Sequence, residues 1–124
     1  MNKSILLIVS VLLLFVQSSF AQVDYSDPAK YMSQLSKHSK DEIQGQLNII
    51  HNYYPSVAMS DLGFYIFMMY TETKKTLPAL DIYDYVKGFK DFARDLPASA
   101  GNDKDTLGKA LSLYSAGLTA GYGD

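Results

Sequence analysis

Two histidines are the first residues to test for chemistry, because imidazole is a common metal ligand. His38 and His51 lie thirteen residues apart, and neither has a second histidine at the i, i+4 spacing of a helical zinc pair. We therefore predict no metal site. His38 stands among lysines and a serine, which indicates a solvated residue at a helix junction. We expect His51 on the surface or hydrogen-bonded.

Paired carboxylates could divide acid and base roles on one helix face. The pairs are Asp81/Asp84, Asp91/Asp95 and Asp103/Asp105. Lys87, Lys90 and Arg94 are interspersed with them, a pattern typical of a salt-bridged solvent face with helix caps. The segment from Asp103 resembles the start of a calcium loop, but Leu107 occupies the position of the third ligand.

Nucleophilic catalysis has no support in the sequence. Ser115 lacks the preceding glycine of an exposed nucleophile elbow, and no glycine-rich phosphate loop is present. Thiol chemistry is excluded because the chain has no cysteine. We therefore predict a protein that is not an enzyme and that uses no cofactor.

Aromatic side chains are the feature of the composition that points toward a function. The chain has ten tyrosines, six phenylalanines and no tryptophan. Tyrosine joins apolar area to a polar tip and is enriched in interfaces and ligand pockets, although a small core would use the same residues for bulk. The candidate binding residues are Tyr53, Tyr54, Phe64, Tyr65, Phe67 and Tyr70.

Helical spacing accounts for most of the apolar residues. Four segments repeat the spacing i, i+4, i+7, i+11, which places side chains on one face of a helix. These stripes are Ile43/Leu47/Ile50/Tyr54, Leu62/Ile66/Met69/Thr73, Ile82/Val86/Phe89/Ala93 with Leu96, and Leu107/Leu111/Tyr114/Leu118. Pro28 indicates a shorter preceding helix, with Met32 and Leu35 facing inward. The sequence therefore predicts an all-α fold, a bundle of four to five helices.

Capping and breaking residues predict where the helices begin and end. Ser39 lies three residues before Glu42, a capping box in which each side chain satisfies a backbone N–H group. The other expected caps are Asp27, Ser60, Asp81 or Asp84, and a residue between 102 and 105. Helix ends are expected at Pro55, Pro78 and Pro97, because proline lacks an N–H and disfavours helix at the residue before it.

The segment from Phe64 to Tyr70 is ambiguous. Its seven large apolar residues show no periodicity, and aromatic residues favour strands. The flanking helical spacing and the two methionines favour a helix. A helix that is apolar on every side is expected at the centre of a bundle or in an interface.

The first twenty-one residues have the pattern of an export signal. Lys3 gives a positive start, Ile5 to Val16 is apolar, and Ser19-Phe20-Ala21 forms a small-x-small cleavage site. As a helix the apolar segment spans roughly 18 Å, short of a bilayer core of about 30 Å. We predict a signal peptide over 1–21 that is cleaved to leave one helical domain over 22–124. The mature protein is expected to be secreted or periplasmic, with no membrane span.

The charge balance argues against nucleic acid as a partner. The chain has 11 basic and 13 acidic residues and a formal net charge of −2. Binding to nucleic acid requires clustered Lys and Arg to displace counterions. We therefore predict a protein partner or self-association.

Two partial resemblances point the same way. The run from Leu80 to Asp91 resembles the second half of the helical dimerisation module of exported prolyl isomerases of the FKBP type. This resemblance implies dimerisation without isomerase activity. The plan of an exported helical protein of this size is similar to periplasmic immunity proteins that block cell-wall-cutting toxins, which implies an inhibitor.

Three hypotheses for function follow. The first is a non-enzymatic exported protein that binds a protein partner through an aromatic patch, as an inhibitor or a dimerising module. The second is a carrier that holds a small apolar ligand between its helices. Such a cavity would be lined by Phe64, Phe67, Met68, Met69 and Phe89. The third is a secreted precursor processed at Lys74-Lys75.

Overall fold

The computed structural model describes residues 24–97, 101 and 103–123, and the predicted signal peptide lies outside them. Five helices and no strand form in this part of the chain, which confirms the predicted all-α bundle. The helices are α1 (Pro28–Ser33), α2 (Lys40–Tyr53), α3 (Met59–Lys74), α4 (Ile82–Arg94) and α5 (Lys104–Gly123). None of the helices in the described part has both the length and the hydropathy needed to cross a membrane.

Side chains cap three of the helices as the sequence predicts. Ser39 accepts a hydrogen bond from the Glu42 amide at 3.2 Å, and Glu42 accepts one from the Ser39 amide at 3.3 Å. The Asp81 carboxylate accepts from the Tyr83 amide at 2.8 Å at the start of α4. At the start of α5, the Asp103 carboxylate accepts from the Thr106 amide at 2.8 Å.

One predicted cap and one predicted inward-facing residue are wrong. Ser60 does not cap α3, because the helix begins one residue before it, at Met59, with Ala58 as its cap. Leu35 does not face inward, because α1 ends at Ser33 and leaves the Leu35 side chain 45% exposed. Asp27 precedes α1 as expected but makes no side-chain capping bond, and its carboxylate instead accepts from Lys40 at 2.8 Å.

The apolar stripes of the four long helices meet in one core. α2 packs against α1 and α4, while α5 packs against α3 and α4. Most stripe residues are buried, whereas Met69, Leu96, Tyr114 and Leu118 are half-buried at its margin. The largest fully buried side chains are Tyr54, Tyr70, Tyr85, Phe89, Met32, Ile43, Leu47, Ile50, Leu62, Ile66, Ile82 and Leu107.

The ambiguous segment from Phe64 to Tyr70 is helical, and it forms the middle of α3. The helix is not enclosed on every side. Ile66 and Tyr70 are buried, Tyr65 and Met69 are half-buried, and Met68 is exposed. One face of an apolar helix therefore remains open, next to α5.

Candidate functional site

The six candidate aromatic residues do not form one surface. Tyr54 and Tyr70 are buried in the core, whereas Tyr53 is 37% exposed on α2. Phe64, Tyr65 and Phe67 are half-buried on α3. Buried rings offer no area to a partner, so only the exposed and half-buried members of the set remain candidates for contact.

The buried candidates belong to a chain of packed rings inside the bundle. Tyr70 meets Tyr85 edge-on at 5.8 Å between ring centroids, and Tyr85 meets Tyr114 at 5.3 Å. Tyr114 meets Phe89 at 5.6 Å, and Phe89 stacks on Tyr54 at 6.5 Å. Because such offset and edge-to-face pairs stabilise a packed interior, these rings support the core.

Hydroxyl groups of two of these rings form hydrogen bonds with neighbouring segments of the chain. The Tyr70 hydroxyl donates to the Leu80 carbonyl at 2.9 Å. The Tyr85 and Ser115 hydroxyls share a buried hydrogen bond of 2.6 Å. Burial raises the pKa of the Tyr85 phenol, although hydrogen bonds to Ser115 and Thr73 act in the opposite direction. Burial also raises the pKa of Tyr54.

Phe64 and Phe67 are covered by rings from the start of the described chain. Tyr25 meets Phe64 edge-on at 5.1 Å and Tyr31 at 5.3 Å. Tyr31 in turn meets Phe67 at 5.3 Å. These contacts fasten the segment before α1 to α3, so Phe64 and Phe67 present only part of their surface.

Tyr65 faces in another direction, into an open groove between α3 and α5. This groove has a volume of about 880 Å³, and we call it the α3–α5 groove. Tyr65 and Met69 contribute from α3, and Leu111, Leu113 and Ser112 contribute from α5. Leu113 is 63% exposed, the highest value among the exposed large apolar side chains of the described residues.

Charged residues border the groove at the start of α5. The Lys104 ammonium pairs with the Asp61 carboxylate of α3 at 2.8 Å. Asp105 and Lys109 also line the groove, and both are exposed. Neither belongs to any ion pair found among the described residues. The groove thus combines an apolar floor with one free acidic and one free basic side chain.

A second pocket lies at the turn between α3 and α4. It has a volume of about 410 Å³ and is lined by Thr76 to Leu80 and by Asp84. None of the five residues proposed to line an apolar-ligand cavity takes part in it. Of those five, Met69 lines the α3–α5 groove, and Phe89 is fully buried among other rings.

Several of the charged and polar residues considered for catalysis have structural contacts. Asp91 lies 3.3 Å from the Lys90 ammonium, and Asp95 lies 3.3 Å from the Arg94 guanidinium. Ser115 is buried against Tyr85 and does not present its hydroxyl to a cleft. Across residues 24–97, 101 and 103–123, no three His, Asp or Glu side chains cluster closely enough to hold a metal ion.

One aromatic contact was missed by the sequence reasoning. The His38 imidazole stacks on the Tyr83 ring with 3.6 Å between centroids and 19° between planes. Its Nδ1 atom lies 2.8 Å from the Glu42 carboxylate. Contacts from His38 and then the Ser39 amide hold the pKa of Glu42 below its usual value. His38 thus joins the start of α2 to α4, a role that its polar neighbours in sequence do not indicate.

The dibasic pair stands at the end of α3. The Lys74 ammonium lies 5.5 Å from the centroid of the Tyr70 ring, and Lys75 pairs with Glu72 at 2.9 Å. Lys74 is the last residue of the helix, and Lys75 caps it.

No family model, curated protein or solved structure matches the chain.

Proposed function

We propose that the chain is a non-enzymatic exported protein that acts by binding another protein chain through the α3–α5 groove. Export rests on the pattern of residues 1–21. Binding rests on the groove itself, and above all on Leu113. A leucine 63% exposed beside half-buried Tyr65 and Met69 extends the apolar surface out of the bundle.

The composition of α5 supports this choice of surface. No charged residue occurs between Lys109 and Asp124, although most residues from 112 to 120 are exposed. Solvent-facing helix surfaces are usually charged or polar, and interface cores are depleted of charge and enriched in aromatic residues and methionine. Tyr65 and Met69 supply these residue types, and Lys104, Asp105 and Lys109 supply a polar rim.

A second exposed apolar patch on α2 is the competing surface. Ile49 is 41% exposed and Tyr53 37% exposed, and their i, i+4 spacing places them on one helix face. This patch is a pair of side chains on one helix, whereas the groove combines two helices and a concave shape. Hydrophobic grooves are a recurrent docking site for the apolar face of a partner's helix.

Affinity capture with matched variants tests the proposed function. Leu113→Asp places a charge in the groove, and Ile49→Asp places the same charge on the competing patch. Both side chains are exposed, so circular dichroism should show unchanged folding for both. We expect the wild-type protein and Ile49→Asp to recover the same protein from the compartment to which the chain is exported, and Leu113→Asp to lose most of it.

Equal recovery by Leu113→Asp and wild type would show that the groove is not the binding surface. Loss of the captured protein with Ile49→Asp alone would show that the binding surface is the patch on α2. Recovery is measured by quantitative mass spectrometry of the captured proteins, including additional copies of this chain.

A further inference from the structure

We propose that the occupant of the α3–α5 groove is a second copy of this chain, docked with the first two turns of the two α5 helices antiparallel about a two-fold axis between Asp105 and Lys109. This inference rests on the proposed function and names the partner of the same groove. It is carried by the free charges of α5, by the direction of α3 and α5, and by an open stretch of helix backbone.

Under such an axis, the two free charges of one copy are complementary to the same two charges of the other copy. In a two-fold interface, if residue i contacts residue j of the partner, then j contacts i. An antiparallel pair of helices with its axis midway between Asp105 and Lys109 sets each Asp105 against the Lys109 of the other copy. Two ion pairs then form from charges that have no ion-pair partner among the described residues of one copy.

The surroundings of these charges leave them available. Lys104, their neighbour, is already held by Asp61 at 2.8 Å. The pKa of Asp103 is lowered mainly by hydrogen bonds from Thr106 and to a smaller degree by Lys109. Lys109 therefore lies near one carboxylate without forming an ion pair with it, and it can reach a second carboxylate across an interface.

The apolar part of the groove lies next to the same axis. Asp61 and Lys104 pair near the starts of α3 and α5, and Tyr65 lines the groove together with Gly108, so the two helices run in the same direction. Tyr65 is therefore level with the part of α5 where the axis passes. The half-buried ring would be covered by the partner's α5, as an aromatic anchor near the centre of an interface.

The helix backbone is open where the second helix would cross. A Cβ atom built on Gly108 would meet nothing within 4 Å, so the space beside this half-buried glycine is open. Helices approach more closely where a glycine replaces a larger side chain. The open backbone at Gly108 brings the paired charges on either side of it within reach of the partner.

Charge reversal tests the arrangement, because the two-fold axis predicts that two variants that repel their own copies should attract each other. Asp105→Lys alone sets lysine against lysine twice, and Lys109→Asp alone sets aspartate against aspartate twice. Mixing the two variants sets every lysine against an aspartate. We expect the protein, purified in the form that its host exports, to be a dimer when measured by sedimentation velocity. Each variant alone should dimerise roughly tenfold more weakly, on the usual strength of exposed charge pairs.

The equimolar mixture should dimerise as strongly as the wild type, and so should the double variant Asp105→Lys/Lys109→Asp. At about 1 M salt the difference between variants should disappear, because exposed charges are then screened. Lys87→Asp on α4, outside the groove, is the matched control and should leave association unchanged.

Two results would overturn the second-copy proposal. A wild-type protein that stays monomeric at all concentrations excludes it, and so does a mixture no more associated than its components. In either case a different protein captured by wild type and lost with Leu113→Asp would leave the proposed function intact. If the wild type neither dimerises nor captures a protein that Leu113→Asp loses, the groove is not a binding surface.

Discussion

The Tyr85 hydroxyl is buried between α4 and α5, where it shares a hydrogen bond of 2.6 Å with Ser115. A buried polar group without a partner costs more than the hydrogen bond contributes, because desolvation is not compensated. The Tyr85–Ser115 contact therefore fixes how α5 sits on α4, and through it the position of the groove.

Removing this hydroxyl should destabilise the fold. We expect Tyr85→Phe to lower the free energy of unfolding by about 1–2 kcal/mol, since the variant loses the bond and leaves the Ser115 hydroxyl poorly satisfied. Urea denaturation followed by circular dichroism measures the change. Tyr53→Phe is the control and should change stability by less than about 0.5 kcal/mol, because its side chain is exposed.

The double variant Tyr85→Phe/Ser115→Ala separates the bond from general packing. If the bond is as described, the double variant should be less destabilised than the sum of the two single variants. An effect of Tyr85→Phe no larger than that of Tyr53→Phe would show that the bond contributes nothing.

At the residue scale, sequence spacing predicts burial better than it predicts contact. Tyr54 lies on the apolar stripe of α2 and is buried, whereas Tyr53 lies off the stripe and is exposed. The stacking of His38 on Tyr83 could not be predicted, because it joins two helices and depends on how they pack. Periodicity within a helix carries no information about its neighbour's orientation.

At the element scale, α1 lies directly across α3. A Cβ atom on Gly63 would stand 2.1 Å from the Pro28 Cβ, so only glycine permits this approach. Gly45 on α2 is the opposite case, since a Cβ atom there would meet nothing within 4 Å. The two helical glycines thus differ in the space around them, and replacing each by alanine should reveal the difference.

Alanine at these two positions should change stability in opposite directions. We expect Gly63→Ala to destabilise by about 1–3 kcal/mol, because α1 must move away from α3. Gly45→Ala should stabilise by about 0.5–1 kcal/mol, since alanine restricts the unfolded chain and adds no clash. Chemical denaturation of both variants tests this, and a stabilised Gly63→Ala would contradict the close packing of α1.

The elements themselves were largely predictable from local chemistry. The capping box at Ser39 and the cap at Asp81 confirm that short-range hydrogen bonding sets helix starts. Ser60 does not act as a cap because α3 begins two residues earlier than such a cap implies, at Met59, and sequence alone did not fix that first turn. The groove was beyond prediction, since it depends on how α3 and α5 lie side by side.

At the scale of the whole molecule, the bundle leaves an apolar groove open between α3 and α5, which run in the same direction. The rings that looked most like a binding patch in the sequence are divided between core and surface. Of the rings at the surface, Tyr65 lines the groove, together with Leu113 from α5. Our proposal is that the protein binds its partner there, and that the partner is a second copy.

The absence of cysteine makes this arrangement directly testable by a single introduced thiol. Gly108 and Gly117 lie on the same helix, and at both positions an added Cβ atom meets nothing within 4 Å. A disulfide requires Cα atoms within about 7 Å of each other. The proposed axis sets the two copies of Gly108 side by side. It separates the two copies of Gly117 by about 30 Å along the helices, from the helical rise per residue.

The decisive measurement is therefore disulfide formation by Gly108→Cys and Gly117→Cys under the same mild oxidation, followed on a non-reducing gel. The proposed contact predicts a covalent dimer for Gly108→Cys and a monomer for Gly117→Cys. Equal cross-linking at the two positions, or no dimer with Gly108→Cys, would contradict it.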